Sequence, residues 1–238
     1  MSDFIQKLKD TFVKDDRWQY LTNGLVNTLI ITLAAAVLGI LLGFLVAMIR
    51  STHDKTGKLK IGNFLCRIYL TVIRGTPMVV QLLIMYFVIF ATLSSKYKIV
   101  VAILAFGINS GAYVAEIVRS GIMSIDNGQF EAGSSLGLSY RQTMISIILP
   151  QAFKNVLPAL ANEVIVLLKE TSVAGYIGME DLTKGGDIIR SRTYEAFFPL
   201  IISAVIYFIL AWILSLITGF ILRQADPRKR RKKAKEAE

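Results

Sequence analysis

Asn155, Asn162 and Lys169 recur every seven residues, and Glu163 and Glu170 stand beside the last two. Seven residues make about two turns of an α-helix, so on a helix these positions draw one polar stripe. Val164–Leu168 around it is apolar. An ionisable side chain is costly in lipid, so such a stripe faces a bundle interior or a wet cavity. Glu163 is the deepest member. A carboxylate there suits a cationic partner such as an ammonium or guanidinium group. The same carboxylate could instead be offset internally, for example by Lys169 of a second copy. Asn162 lies next to it on the stripe and is the second candidate for cargo contact.

A further constellation is Gly75-Thr76-Pro77 followed by Gln81. Glycine and proline together break a helix. At membrane depth a break survives only where protein or a water-filled cavity satisfies the freed backbone groups, and such breaks often line a path for cargo. Thr76 and Gln81 are therefore candidate cargo residues. Packing alone explains a kink equally well, and an interhelical hydrogen bond is the commoner role for a lone amide.

No pattern supports bond chemistry. The chain has no HExxH, no Cys/His cluster and no Gly-x4-Gly-Lys-Ser/Thr segment. Cys66 and His53 are each the sole residue of their kind; Cys66 reads as a small buried residue. No metal, nucleotide or other cofactor is expected on this chain. A process driven by ATP would need its ATPase on another polypeptide.

The elements that must position these residues are membrane spans. The chain is 54% apolar with a mean hydropathy of +0.55, above the range of soluble domains. Charge-free runs cover Leu25–Ile49, Gly75–Ser95, Ile99–Ala115 and Ala196–Leu222. About 20 apolar residues cross a bilayer as a helix. Asn155–Met179 is a weaker fourth span in chain order because it carries the charged stripe. The reading is an all-α membrane protein with about five transmembrane helices. With the C-terminus inside, the inner segments hold sixteen Lys and Arg against nine outside, as the positive-inside rule asks. Five spans then place the N-terminus outside and the loop after the third span in the cytoplasm. Residues 1–20 read as an amphipathic interfacial segment, with Phe4, Ile5, Leu8 and Phe12 at helical spacing. Residues 21–224 form the membrane domain. Residues 225–238 form a basic tail, read as a topology anchor on anionic headgroups and not as a nucleic-acid site.

The loop at residues 126–150 is polar and broken by glycine. Asp126 with Gln129, and Ser139 with Gln142, have helix-start spacing. Gly137 between them suits a positive-φ turn. Two short helices in an elbow are expected, Asn127–Leu136 and Tyr140–Leu149. An elbow with an exposed acid makes a rigid handle for another protein.

This loop, Glu131 to Pro150, resembles the EAA docking loop of ABC importer permeases. Glu131, Ala132, Gly137, Ile147, Leu149 and Pro150 fall in the family's register, with Gly133 where the family usually has Ala. Arg74-Gly75-Thr76-Pro77, the segment Ala112–Ile122, Gly128-Gln129-Phe130 and Leu168-Lys169-Glu170-Thr171-Ser172 are similar to segments of polar amino-acid permeases in the same order. The resemblance covers roughly residues 20–224. It implies the type I importer permease fold, a permease dimer and two ATPase subunits that use ATP and Mg. It also implies an extracytoplasmic amino-acid-binding protein and a prokaryotic inner or plasma membrane. By the same resemblance, Glu131, Ala132, Gly137 and Leu138 are the docking residues for the ATPase. The expected function is alternating access for a polar amino acid, with arginine, lysine or histidine favoured by Glu163. An ion-coupled secondary transporter is the competing class. It would leave the elbow without a partner and would want inverted repeats, which the sequence does not display.

Overall fold

The computed structural model describes residues 2–225, and these form helices and turns without a strand. The elements are α1 (Ser2–Leu8), α2 (Trp18–Thr56), α3 (Lys60–Gly75), α4 (Met78–Ile84), α5 (Lys98–Met123), α6 (Asn127–Ser135), α7 (Tyr140–Thr143), α8 (Leu149–Glu170), α9 (Leu182–Thr193) and α10 (Phe197–Ala225). The basic tail at 226–238 and the side chain of Phe4 lie outside the described residues.

Four helical stretches are long and apolar enough to cross a bilayer: 18–56, 95–123, 140–177 and 197–223. Taken as one span, a bent pair of helices makes the fifth. α3 and Met78–Ile89 meet at 110°, so the expected span Gly75–Ser95 is corrected. The crossing begins at Lys60 and turns sharply where Gly75 and Pro77 stop the first helix. The expected second elbow helix, Tyr140–Leu149, is also corrected. α7 passes through one π-turn at Met144–Ile148 directly into α8. No backbone stop separates them, and Pro150 lies within the continuous stretch, just after the π-turn. The elbow is thus the end of the fourth span.

α2 and α5 form the largest helix–helix contact in the chain. Lipid offers no hydrophobic drive for helices to pair, so close backbone approach across small residues has to supply the contact. Both helices carry a GxxxG segment, Gly39–Gly43 and Gly107–Gly111. A Cβ built on Gly43 would lie 2.5 Å from Val114 Cγ1, and one on Gly39 would lie 3.0 Å from Ser110 Cβ. Ala35, Ala36, Ala47, Ala112 and Ala115 complete the buried seam. On the opposite side α10 leaves most of its apolar surface open, as Phe208, Trp212 and Phe220 illustrate at 69%, 57% and 63% exposure.

The segment between α8 and α10 is built on Asp181. Its carboxylate is fully buried and caps α9 by accepting from the backbone N–H of Thr183 (2.9 Å) and Lys184 (3.3 Å). Burial pushes this carboxyl up from its ordinary value, and the two N–H groups pull the other way. Nearby, Thr28 Oγ1 accepts from the backbone N–H of Leu182 (3.1 Å), which ties α9 to α2. Phe12 packs with the buried Leu21, Leu182 and Ile189 cluster, so the segment before α2 adheres to the same end.

Gly43→Val is expected to lower unfolding stability in detergent micelles by about 1–3 kcal/mol or more, because the overpacked seam cannot relax. Gly219→Val on α10 has open space around the new side chain. It is expected to be neutral, or to gain up to about 1 kcal/mol, from the loss of glycine in a helix. Equal responses of the two variants would refute the seam argument.

Candidate translocation site and docking elbow

The broken span is closed by side chains. Pro77 has no N–H to give to Ile73 O, its partner in a continuous helix. Gln81 supplies the missing donor, with its Nε2 2.7 Å from Ile73 O, 3.0 Å from Thr76 O and 2.8 Å from Thr76 Oγ1. Thr76 Oγ1 in turn donates to Val72 O (2.8 Å). Asn109 of α5 donates to Gln81 Oε1 (3.0 Å), leaving its own buried Oδ1 without a partner. The structure therefore brings Thr76 and Gln81 together and fixes both against α5.

Glu163 is placed by the next residue on α5. Its carboxylate accepts from Ser110 Oγ at 2.9 Å and forms no ion pair among the described residues. Ser110 in turn is held by the close approach at Gly39. The adjacent pair Asn109-Ser110 thus links the break on one side to the α8 stripe on the other. Both residues are buried. The sequence reading missed them. Their signal was an Asn-Ser pair inside the otherwise apolar run Ile99–Ala115. Further along the stripe, Asn155 donates to Ser124 Oγ (3.1 Å). Asn155, Asn162 and Lys169 are exposed, while Glu163 and Glu170 are half-buried.

At the other end the elbow follows its expected caps. Asp126 accepts from the backbone N–H of Gly128 (2.6 Å), and Ser139 with Gln142 forms a reciprocal capping box. Gly137 has φ +75°. The N–H of Gly137 donates to Ser134 O and that of Leu138 to Gly133 O, the paired bonds of a left-handed helix stop. Glu131, Ala132 and Gly137 are exposed and Leu138 is half-buried. A groove of about 340 Å³ runs beside them, lined by Lys55, Phe130, Glu131, Leu138 and Tyr140 among others. Lys55 Nζ lies 4.5 Å from the Phe130 ring centre and donates to Asn127 Oδ1 (2.6 Å), so α2 is strapped to α6. Arg119 pairs with Asp54 (3.2 Å), and Arg50 pairs with Glu116. Gly133 has a reason for being glycine. A Cβ there would lie 2.6 Å from Oγ1 of the buried Thr143.

A long first span, a bent second segment, a polar stripe and a capped elbow between two spans are features of a helical membrane permease. The chain belongs to the family described as binding-protein-dependent transport system inner membrane component, whose model matches residues 39–231. Within it the chain falls in the amino-acid ABC permease branch. It is 38% identical over 203 residues to a putative glutamine transport system permease protein of Rickettsia typhi, covering 85% of this chain and 91% of the relative. It is 38% identical over 206 residues to an arginine transport system permease protein of Bacillus subtilis, covering 86% and 92%. Among solved structures it resembles an amino acid ABC transporter determined with histidines, with a TM-score of 0.79 at 39% identity over 90% of this chain and 98% of the other. The architecture is that of type I ABC importer permeases. The relatives are transporter subunits, so no bond chemistry is assigned to this chain.

Gly133→Ala is expected to destabilise despite a helix-propensity gain of about 1 kcal/mol. Overpacking against Thr143 costs about 1–3 kcal/mol. Thr143→Ala in the same chain removes the clashing atoms and should restore most of the loss. Thermal unfolding of the four-member mutant cycle measures the coupling, and strict additivity would exclude the steric explanation.

Proposed function

We propose that this permease carries a cationic amino acid and that Glu163 supplies the negative charge recognising it. The observation that carries this reading is a half-buried carboxylate within a span, held by Ser110 alone and unpaired with any cation among the described residues. Asn109 Oδ1, one residue from Ser110, is a second buried acceptor without a partner. A carboxylate without a cation and an amide oxygen without a partner suit a ligand rich in N–H groups. Asn162 beside Glu163 on α8, and Thr76 and Gln81 joined to Asn109, are the further cargo residues of this proposal. The names of relatives support amino acids in general and divide on the side chain. An arginine permease and a putative glutamine permease are equally similar. The solved neighbour determined with histidines supports the cationic side.

The proposal includes the assembly. An exposed row of Asn155, Asn162 and Lys169 on α8 is costly against lipid. Two copies related by a two-fold axis would bury it against itself and enclose a wet path. Lys169 of one copy could then offset Glu163 of the other, the second reading of that carboxylate. Two ATPase subunits using ATP and Mg would grip the elbows at Glu131, Ala132, Gly137 and Leu138, and a binding protein would deliver cargo on the opposite side. The N-terminus would lie outside, with the elbow and C-terminus in the cytoplasm. Closure of the ATPases would rock the spans between two states with different contacts to cargo.

Glu163→Gln keeps the shape and removes the charge. In proteoliposomes containing the assembled transporter, arginine uptake should fall by about tenfold or more, since charged hydrogen bonds are worth about 1.5–3 kcal/mol. ATPase association should persist. Unchanged arginine uptake would transfer the role of Glu163 to internal pairing. For the dimer, single cysteines from Asn155 to Glu170 in a Cys66→Ala background should crosslink to themselves at one or more stripe positions. Silence along the whole helix would argue against a two-fold axis at α8.

A further inference from the structure

α3 carries two guanidinium groups that no described residue neutralises. Arg67 and Arg74 are seven residues apart, hence on one helix face, and both are exposed. Neither has an ion-pair partner among the described residues. Arg74 lies over the Tyr113 ring at 5.7 Å. The two arginines line an open cleft of about 680 Å³ between α3 and α5, together with Arg50, Thr71, Tyr113 and Glu116. Glu116 is already paired with Arg50, and Arg50 Nε is buried there with no partner. Three guanidiniums thus share one carboxylate, which leaves the cleft strongly positive.

The cleft lies at the edge of the apolar band. The charge-free run of α2 stops at Arg50, and that of α5 stops at Glu116; both residues line it. α5 continues from Glu116 to the elbow, so this is the elbow end of the bundle. On the same helix, at levels between Arg67 and Arg74, Ile68 and Val72 are 46% and 54% exposed. A ligand with an anionic head and a hydrocarbon chain fits both surfaces.

We propose that this cleft binds the phosphate of an anionic phospholipid between Arg67 and Arg74, with an acyl chain along Ile68 and Val72. The planar forks of arginine match phosphate oxygens in pairs. Basic pockets between spans at a membrane edge are suited to such headgroups. A bound phosphate also removes the cost of holding two uncompensated charges beside hydrocarbon.

The test uses the full chain in nanodiscs of phosphatidylcholine, with and without an equal share of phosphatidylglycerol. Native mass spectrometry reads retained lipid, and thermal unfolding reads its effect. Wild-type chain should retain phosphatidylglycerol and unfold at a higher temperature in its presence. R67Q/R74Q should bind it about tenfold or more weakly. R67K/R74K, which keeps charge and loses the fork, should fall between them and covers the case in which the first variant fails to fold. K58Q/K60Q removes equal charge from exposed positions outside the cleft and should match wild type. Equal lipid retention in R67Q/R74Q would overturn the proposal. So would stabilisation by inorganic phosphate or acetate with none from phosphatidylglycerol, which would make the cleft a soluble-anion site. Loss of self-association in R67Q/R74Q with lipid retention unchanged would make the cleft a contact between copies, and would overturn it as well.

Discussion

The close approach of α2 and α5 is the constraint on which the remaining geometry depends. In lipid, helices gain nothing from hiding apolar surface from other apolar surface, so contact has to come from fit. Gly39 and Gly43 let α5 sit against the α2 backbone at a distance that any Cβ would forbid. That contact fixes the rotation of α5. With the rotation fixed, Ser110 points at Glu163, Asn109 points at the broken span, and Glu116 reaches Arg50. Three polar interactions with three different elements follow from one apolar seam.

The broken span makes a complementary point about satisfied backbone. The 110° bend frees backbone carbonyls that need new partners. The side chain one turn beyond Pro77 returns to those carbonyls, and a second amide from α5 holds it there. Gln81 is therefore part of the wall whatever else it touches. Thr76 is part of it too, through its hydrogen bond to Val72 O.

Much of this was legible in the sequence where local chemistry decides the outcome. The caps at Asp126 and Ser139, the positive-φ turn at Gly137 and the break at Gly75–Pro77 each depend on a few neighbouring residues. They appear where the sequence places them. Less legible was anything set by which helix meets which. The continuity of α7 into α8 escaped notice because the polar composition of Tyr140–Gln142 reads as loop while the backbone remains helical. Asn109 and Ser110 escaped because an apolar run was scored for length, not for its two polar exceptions. The reason for Gly133 lies in Thr143, ten positions away and across a turn, so propensity alone described it as a small defect.

These two corrections together give the elbow a mechanical meaning. A loop tethered at both ends by flexible chain would absorb a push. Here one end is strapped to α2 by Lys55, and the other end is itself the start of the fourth span. α8 is joined to α5 at two levels, Asn155 with Ser124 and Glu163 with Ser110. A force applied at the elbow therefore cannot move α7 without carrying α8, and with it both the apolar face of Ala152, Val156 and Leu160 against α5 and the Ser110–Glu163 bond.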